Sequence, residues 1–370
     1  MVFTFLPAIA RGSGLSVTAL SRVIFARDMT GLLGPAAGGV VRRVGAWRTM
    51  VWAGVLAAVG MLLVPFGLIG IVVGLVLWGL CRNGFIVALN SWLGDAVAYE
   101  RRGRATGLVE LTWAAAALIG LPAMGVLIDQ VGWWAAPTIL GLLGLPFAVM
   151  MTRIESEASV GGSTTEQGAV TLSRNTVVAL VALALFTGAA QFLLFTHGLW
   201  LESTYNFDPA QVGFAIVVVG AAEAVASYGT SLIADRLGKR NSVIAGTVVL
   251  AIALAGFSAF PTPHLAIGLG LLVVAFLGFE FAIVSSIAMV SELEPGGRST
   301  VIGRSVGLST IARAGVSLLC GWLYDVATFR TIMLLATATA VASAVLLIGF
   351  VVEPSAPLTN TRPKTGGDPV

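Results

Sequence analysis

A chain of 370 residues that is 57% hydrophobic and only 11% charged, with a net charge of +3, falls well short of the roughly 25% charge of soluble domains. Its mean hydropathy of +0.95 excludes a soluble helical protein, whose helices would show a polar stripe about every 3.6 residues; Met50–Leu63, Ile139–Met151 and Ile332–Val352 have almost none. The positive charges sit in short turns, so the expected surroundings are a lipid bilayer and not nucleic acid.

A bilayer-spanning helix needs about 20 mostly apolar residues. Taken in order, Met1–Ala10 is a half-span, too short to cross and without the charged start of a signal peptide, and is expected to be the outer end of a first helix whose beginning is missing. Eleven full spans follow, near 16–41, 49–65, 69–96, 105–128, 132–152, 175–200, 209–234, 241–260, 264–290, 301–323 and 329–352. Residues 152–173 are polar and Gly/Ser/Thr-rich and form a linker between residues 1–151 and 174–352. The Pro/Gly-rich tail, 353–370, is expected to be disordered.

Basic residues fall on one side of this count. One set of turns carries Arg42, Arg43, Arg48, Arg101, Arg102, Arg104, Arg153, Arg174, Arg236, Lys239, Arg240, Arg298, Arg304, Arg362 and Lys364, and the other only Arg11 and Arg330. The positive-inside rule puts the first set, and the C-terminus, in the cytoplasm.

The two halves repeat. Gly38-Gly-Val-Val-Arg-Arg-Val-Gly-Ala-Trp-Arg48 and Gly229-Thr-Ser-Leu-Ile-Ala-Asp-Arg-Leu-Gly-Lys-Arg240 place Gly45 and Gly238, and Arg43 and Arg236, 193 positions apart. Arg104 and Arg298 are 194 apart, and the Gly125–Asp129 and Gly321–Asp325 helix ends 196. Two six-helix halves in one orientation are a parallel-repeat plan of secondary transporters.

Charges inside spans are expensive and functional by default. The midplane candidates are Arg22, Arg27, Asp28, Arg82, Glu223, Glu280 and Arg313; Glu110 and Arg304 lie nearer the basic side. Arg27 and Asp28 are neighbours, so side chains on one helix are not expected to face each other, and each calls for a partner elsewhere. Small residues at Gly34, Gly38, Gly39, Gly120 and Gly125 are expected to pack helices closely, with Gly120 and Pro122 able to bend their helix. Trp133, Trp134, Trp200 and Trp322 suit interfacial belts, and His197 a span end. Cys81 and Cys320 suggest no disulfide framework. No phosphate-binding loop or catalytic constellation is present, so neither a cofactor, a metal nor enzymatic chemistry is expected.

Ala234-Asp-Arg-Leu-Gly-Lys-Arg240 resembles the loop signature of the major facilitator superfamily, and Tyr99-Glu-Arg-Arg-Gly-Arg-Ala-Thr-Gly107 is similar to a further family segment. Ile119-Gly-Leu-Pro-Ala-Met-Gly125 resembles the helix-5 motif of its antiporters, and the chain is most similar to drug- and sugar-efflux permeases, including arabinose efflux. The resemblance implies an all-α membrane fold of two pseudo-symmetric six-helix bundles. Helices 1, 4, 7 and 10 would line a cavity, placing Arg82, Asn83, Glu280, Gln191 and His197 near a small-molecule substrate, with Asp28 and Glu223 as further candidates. Desolvation would equip Glu280 to take up a proton. It further implies a cytoplasmic gating motif of Asp235, Arg236, Gly238, Lys239 and Arg240, mirrored by Arg42, Arg43 and Gly45. Where the family has Asp, this chain has Arg42, and Ala46 and Trp47 replace two basic positions. Asp235 is thus expected to carry the intact latch, with Arg42 pairing with Asp95, Glu100, Glu292 or Glu294. The expectation is a monomeric, proton-coupled efflux carrier; the alternatives are an uptake permease and a non-transporting sensor or decayed carrier.

Overall fold

The computed structural model describes residues 2–97, 109, 112, 115–153, 172–260, 264–294 and 298–352, and every regular element among them is helical. In chain order these are α1 (Leu6–Ser13), α2 (Val17–Met29), α3 (Gly34–Val44), α4 (Ala46–Leu63), α5 (Gly67–Ala96), α6 (Leu121–Gln130), α7 (Ala135–Thr152), α8 (Arg174–Tyr205), α9 (Pro209–Ala215), α10 (Val217–Leu237), α11 (Lys239–Ala259), α12 (Leu265–Val290), α13 (Arg298–Val326) and α14 (Phe329–Phe350). Nine helical stretches among the described residues are long and apolar enough to cross a bilayer. Their outward faces expose Trp52, Ile69, Leu143, Ile252 and Ile348, as a hydrocarbon solvent requires and water does not.

Three expected spans are interrupted. The 16–41 span breaks into α2, a 3-10 turn (Thr30–Leu33) and α3. Pro35 lacks a backbone donor, and the Thr30 hydroxyl donates to the Arg27 carbonyl at 2.6 Å, competing with the helix ladder. The 209–234 span starts as α9, under a capping box of Asp208 and Gln211, and resumes as α10 after Ile216. Of the 105–128 span, the part from Ala115 is a π-turn (Ala116–Gly120) leading into α6 with Pro122 in its first turn. Both are devices that bend helices. Glu110, the Arg101–Arg104 turn, the linker residues 154–171 and the tail 353–370 lie outside the described residues, as do the side chains of Asp95, Asp235 and Arg298.

α4 packs on α5 and α7, and α5 on α2 and α3; α11 packs on α12 and α14, α8 on α13 and α14, and α10 on α12. Apolar all round, α8 is buried along most of its length, as a helix without a polar face must be. The two groups meet mainly where α2 crosses α13, where α6 crosses α9, and where α1 rests on α8.

These crossings cluster at the end of the molecule away from the basic turns. There Thr18 donates to the Gly321 carbonyl at 2.8 Å and to Asp325, and Arg11 pairs with Glu202. A Cβ added at Gly125 would lie 2.5 Å from the Pro209 carbonyl oxygen, and one at Gly213 2.8 Å from that of Leu121. Toward the basic end the described residues of the two groups part: Leu33, Val225 and Val306 are exposed, and among the described residues nothing lies within 4 Å of a Cβ added at Gly34, Gly229 or Gly303. Among the described residues, Gly125 packs helices as expected, whereas a Cβ at Gly34 would meet nothing, one at Gly120 only its own helix, and one at Gly38 or Gly39 only Arg42.

Candidate functional site

A cavity of about 360 Å³ opens between α2, α5 and α13. Arg27 and Asp28 reach it from the last turn of α2, Trp78, Arg82 and Asn83 from α5, and Thr310 and Arg313 from α13. Gly79 lets α5 approach α2, since a Cβ there would sit 2.8 Å from the Arg27 carbonyl oxygen. The described lining residues include three guanidiniums and one carboxylate, and these four groups lie within electrostatic reach of one another.

The walls are fixed by hydrogen bonds. Asn83 Nδ2 donates to Thr30 Oγ1 at 3.1 Å. On α8, the fully buried Gln191 donates to Ser317 Oγ at 2.9 Å and accepts the Arg313 Nε–H at 3.2 Å. The terminal N–H groups of Arg313 have no partner among the described residues. Arg27 lies over the rings of Phe3 and Trp78, 5.2 and 5.9 Å from their centroids, a cation–π arrangement.

Arg27 and Asp28 correct the sequence reading: they pair with each other. Arg27 Nε and a terminal nitrogen reach Asp28 Oδ1 at 2.8 and 2.7 Å. The pair sits where α2 gives way to the 3-10 turn, and the long arginine side chain curls back to its neighbour. Asp28 Oδ2 is buried with no donor among the described residues.

Glu223 and Glu280 fall elsewhere. They sit on the packed helices α10 and α12, close enough to act on each other electrostatically, and neither lines the cavity. His197 is buried rather than interfacial, with Nε2 3.2 Å from the Thr4 hydroxyl, Nδ1 2.9 Å from the Leu194 carbonyl, and Phe276 edge-on. Trp200, expected in a belt, is buried among Tyr205, Phe257 and Phe329, whereas Trp134 and Trp322 are exposed. Arg22 is exposed on α2 and does not reach the cavity. Phe3, Trp78 and Thr310 line the cavity without having been singled out in the sequence; each is an ordinary apolar or small polar residue of a span, with no charge to mark it.

The two basic turns share a backbone. Gly45 has φ 93° and ψ 149°, Gly238 φ 82° and ψ 149°, a region essentially reserved for glycine. Around the second turn Lys239 pairs with Glu292, and Arg240 donates to the carbonyls of Leu347, at 3.0 and 3.2 Å, and Ile348, at 2.7 Å. In the first, Trp47 Nε1 donates to the Met151 carbonyl at 3.2 Å. Arg42, Arg43 and Arg236 are exposed. Of the carboxylates expected to meet Arg42, Glu292 is held by Lys239 and Glu294 by the Ser173 N–H and the Thr176 hydroxyl, at 2.8 and 2.6 Å. Glu100 and the Asp95 side chain lie outside the described residues.

The family described as Major Facilitator Superfamily matches residues 1–293 and again 180–369. The chain is 28% identical over 317 residues to the lysophospholipid transporter LplT of Cronobacter sakazakii, covering 80% of this chain and 76% of that protein. It is 25% identical over 195 residues to the uncharacterized MFS-type transporter YwfA of Bacillus subtilis, covering 49% of this chain and only 46% of that relative. Among solved structures, the nucleoside transporter NupG superposes with a TM-score of 0.77 at 14% identity, covering 94% of this chain and 95% of that one. A bacterial homologue of the iron transporter ferroportin, in an inward-facing state, superposes with a TM-score of 0.67 at 16% identity, covering 90% of each. At these identities the superpositions show the fold alone.

Proposed function

Because the chain belongs to the major facilitator superfamily and is a multi-pass membrane transporter of that type, we propose that it is a secondary active carrier of a small organic anion, working by alternating access. The observation that carries this reading is the cavity lined by Arg27, Asp28, Arg82 and Arg313, in which the terminal N–H groups of Arg313 have no partner among the described residues. Cations held inside a membrane protein are costly, and guanidinium forks match carboxylate and phosphate oxygens. An anion matches the open Arg313 fork in charge and geometry; a neutral sugar does not. The lysophospholipid transporter among its relatives handles a phosphate-bearing solute, which supports the same class.

The carrier sits in the cell membrane with its basic turns in the cytoplasm, and the described conformation opens to that side. Glu223 and Glu280, on packed helices outside the cavity, are the proton-carrying groups, and the helix-5 pattern around Gly120 and Pro122 favours export. Asp235 supplies the cytoplasmic latch of the second half.

Proteoliposomes test this. Counterflow of radiolabelled organic anions is expected, falling at least about tenfold in Arg313→Gln, as for loss of one charge-assisted contact, and unchanged in Arg22→Gln. Glu280→Gln is expected to abolish pH-gradient-driven movement while sparing counterflow. Transport of neutral sugars but no anions, or full activity in Arg313→Gln, would overturn the reading.

A further inference from the structure

Asp28 offers one oxygen to Arg27 and buries the other without a donor. A carboxylate oxygen left unmatched away from water is costly. Asn83 Nδ2 gives one hydrogen to Thr30, the Thr30 hydroxyl donates to the Arg27 carbonyl, and Gln191 Nε2 gives one hydrogen to Ser317; among the described residues no donor reaches Asp28 Oδ2. Yet Asp28 lines the cavity in which Arg313 presents its terminal N–H groups. Among the described residues, an acceptor in need of a donor thus stands in the same chamber as the open guanidinium fork of Arg313.

We propose that the carried solute is an anion that also bears a hydrogen-bond donor, an ammonium or hydroxyl group, with Arg313 taking its anionic end and Asp28 its donor. This rests on the anion reading above and names the solute class within it. Asp28 turns Oδ2 toward the chamber by rotating its carboxyl group while Oδ1 remains in reach of Arg27. The residue then sets specificity: it repels a plain anion and welcomes one that carries its own donor. An Asp in a site built only to hold anions would weaken it; an Asp in a site for donor-bearing anions sorts among them.

The test is titration calorimetry of the full chain in nanodiscs with size-matched probes: propyl phosphate, hydroxyethyl phosphate and aminoethyl phosphate, and pentanoate against gamma-aminobutyrate. The donor-bearing member of at least one series is expected to bind about tenfold or more tightly than its apolar match, the worth of one hydrogen bond to a charged group. In Asp28→Asn that ratio is expected to collapse to near unity. Should the lone Arg27 charge prevent that variant from folding, the double variant Arg27→Gln/Asp28→Asn removes both charges and reads the same ratio. Equal affinities within both series in the native protein would overturn this proposal and leave the anion reading standing. Binding of no probe in either series would overturn both. A preference that survives in Asp28→Asn would place the donor contact on another residue and overturn the role of Asp28.

Discussion

At Gly45 the chain turns with φ 93° and ψ 149°; 193 positions later, at Gly238, it turns with φ 82° and ψ 149°. Each turn is tied to the C-terminal end of the last helix of its half, but by different groups. In the second, the Arg240 guanidinium spans two terminal carbonyls of α14, where a cation also meets the negative end of the helix dipole. In the first, the Trp47 indole donates a single neutral hydrogen bond near the end of α7 and stacks at a tilt on Trp92, ring centroids 5.8 Å apart. A duplicated turn thus keeps its backbone while its charges drift. The connection is what the fold needs, and a large side chain with one N–H supplies it.

The comparison can be broken at several strengths. Arg240→Ala removes charge-assisted contacts and leaves α14 uncapped, so it is expected to cost about 3 kcal/mol, read as a lower thermal midpoint in detergent. Gly45→Ala and Gly238→Ala force an alanine into glycine-only dihedral space. Each is expected to cost about 1–3 kcal/mol, and a neutral result at one turn alone would show that the turns are not equivalent. Trp47→Phe deletes only the N–H and is expected to cost about 1 kcal/mol; a loss as large as that of Arg240→Ala would mean that the indole does more than tie down α7. Lys239→Ala breaks a partly exposed ion pair with Glu292 that has no counterpart at Ala46, and is expected to cost less than about 1 kcal/mol.

A pH dependence belongs to the second half. Donors on Ser173 and Thr176 hold the Glu294 carboxyl below the usual carboxylate range. With a folded value below the unfolded one, its contribution is present above the unfolded value and lost as pH falls through the folded value. Thermal midpoints of the native protein are therefore expected to drop on acidification more than those of Glu294→Gln, and parallel curves would count against the assignment.

The spans and the repeat were legible because both depend on composition and spacing. Long apolar runs leave no alternative to membrane helices, and Gly45 and Gly238 mark their turns because no other residue takes that backbone comfortably. Gln191 and Arg313 were visible as polar groups in greasy surroundings, and the structure brings them together. What was hidden required side-chain reach or helix rotation. The rule that adjacent residues on a helix face apart misled at Arg27 and Asp28, because the helix ends there and arginine is long enough to turn back. Glu280 and Arg82 were placed by depth alone near one cavity, but depth says nothing of which neighbour a helix face meets, and only Arg82 lines the cavity. Trp200 and His197 near a span end looked interfacial, yet α8 is enclosed along its length.

The close contacts of Gly125 and Gly213 with facing backbone, and of Gly321 with Ser21, have a mechanical meaning. They lie near one tip of long rods: Gly321 stands 23 residues from Arg298 along α13, about 35 Å. With the pivot at that tip, a tilt of roughly 10°, of the order of known domain rotations, sweeps the far tip through about 6 Å while the atoms at the pivot barely shift. Hydrogen-sized side chains make the bearing, and its smoothness limits how freely the lever swings. A methyl group added at Gly125 would do more than wedge α6 from α9: it would roughen the bearing, and the penalty would surface at the opposite tip as a slower stroke.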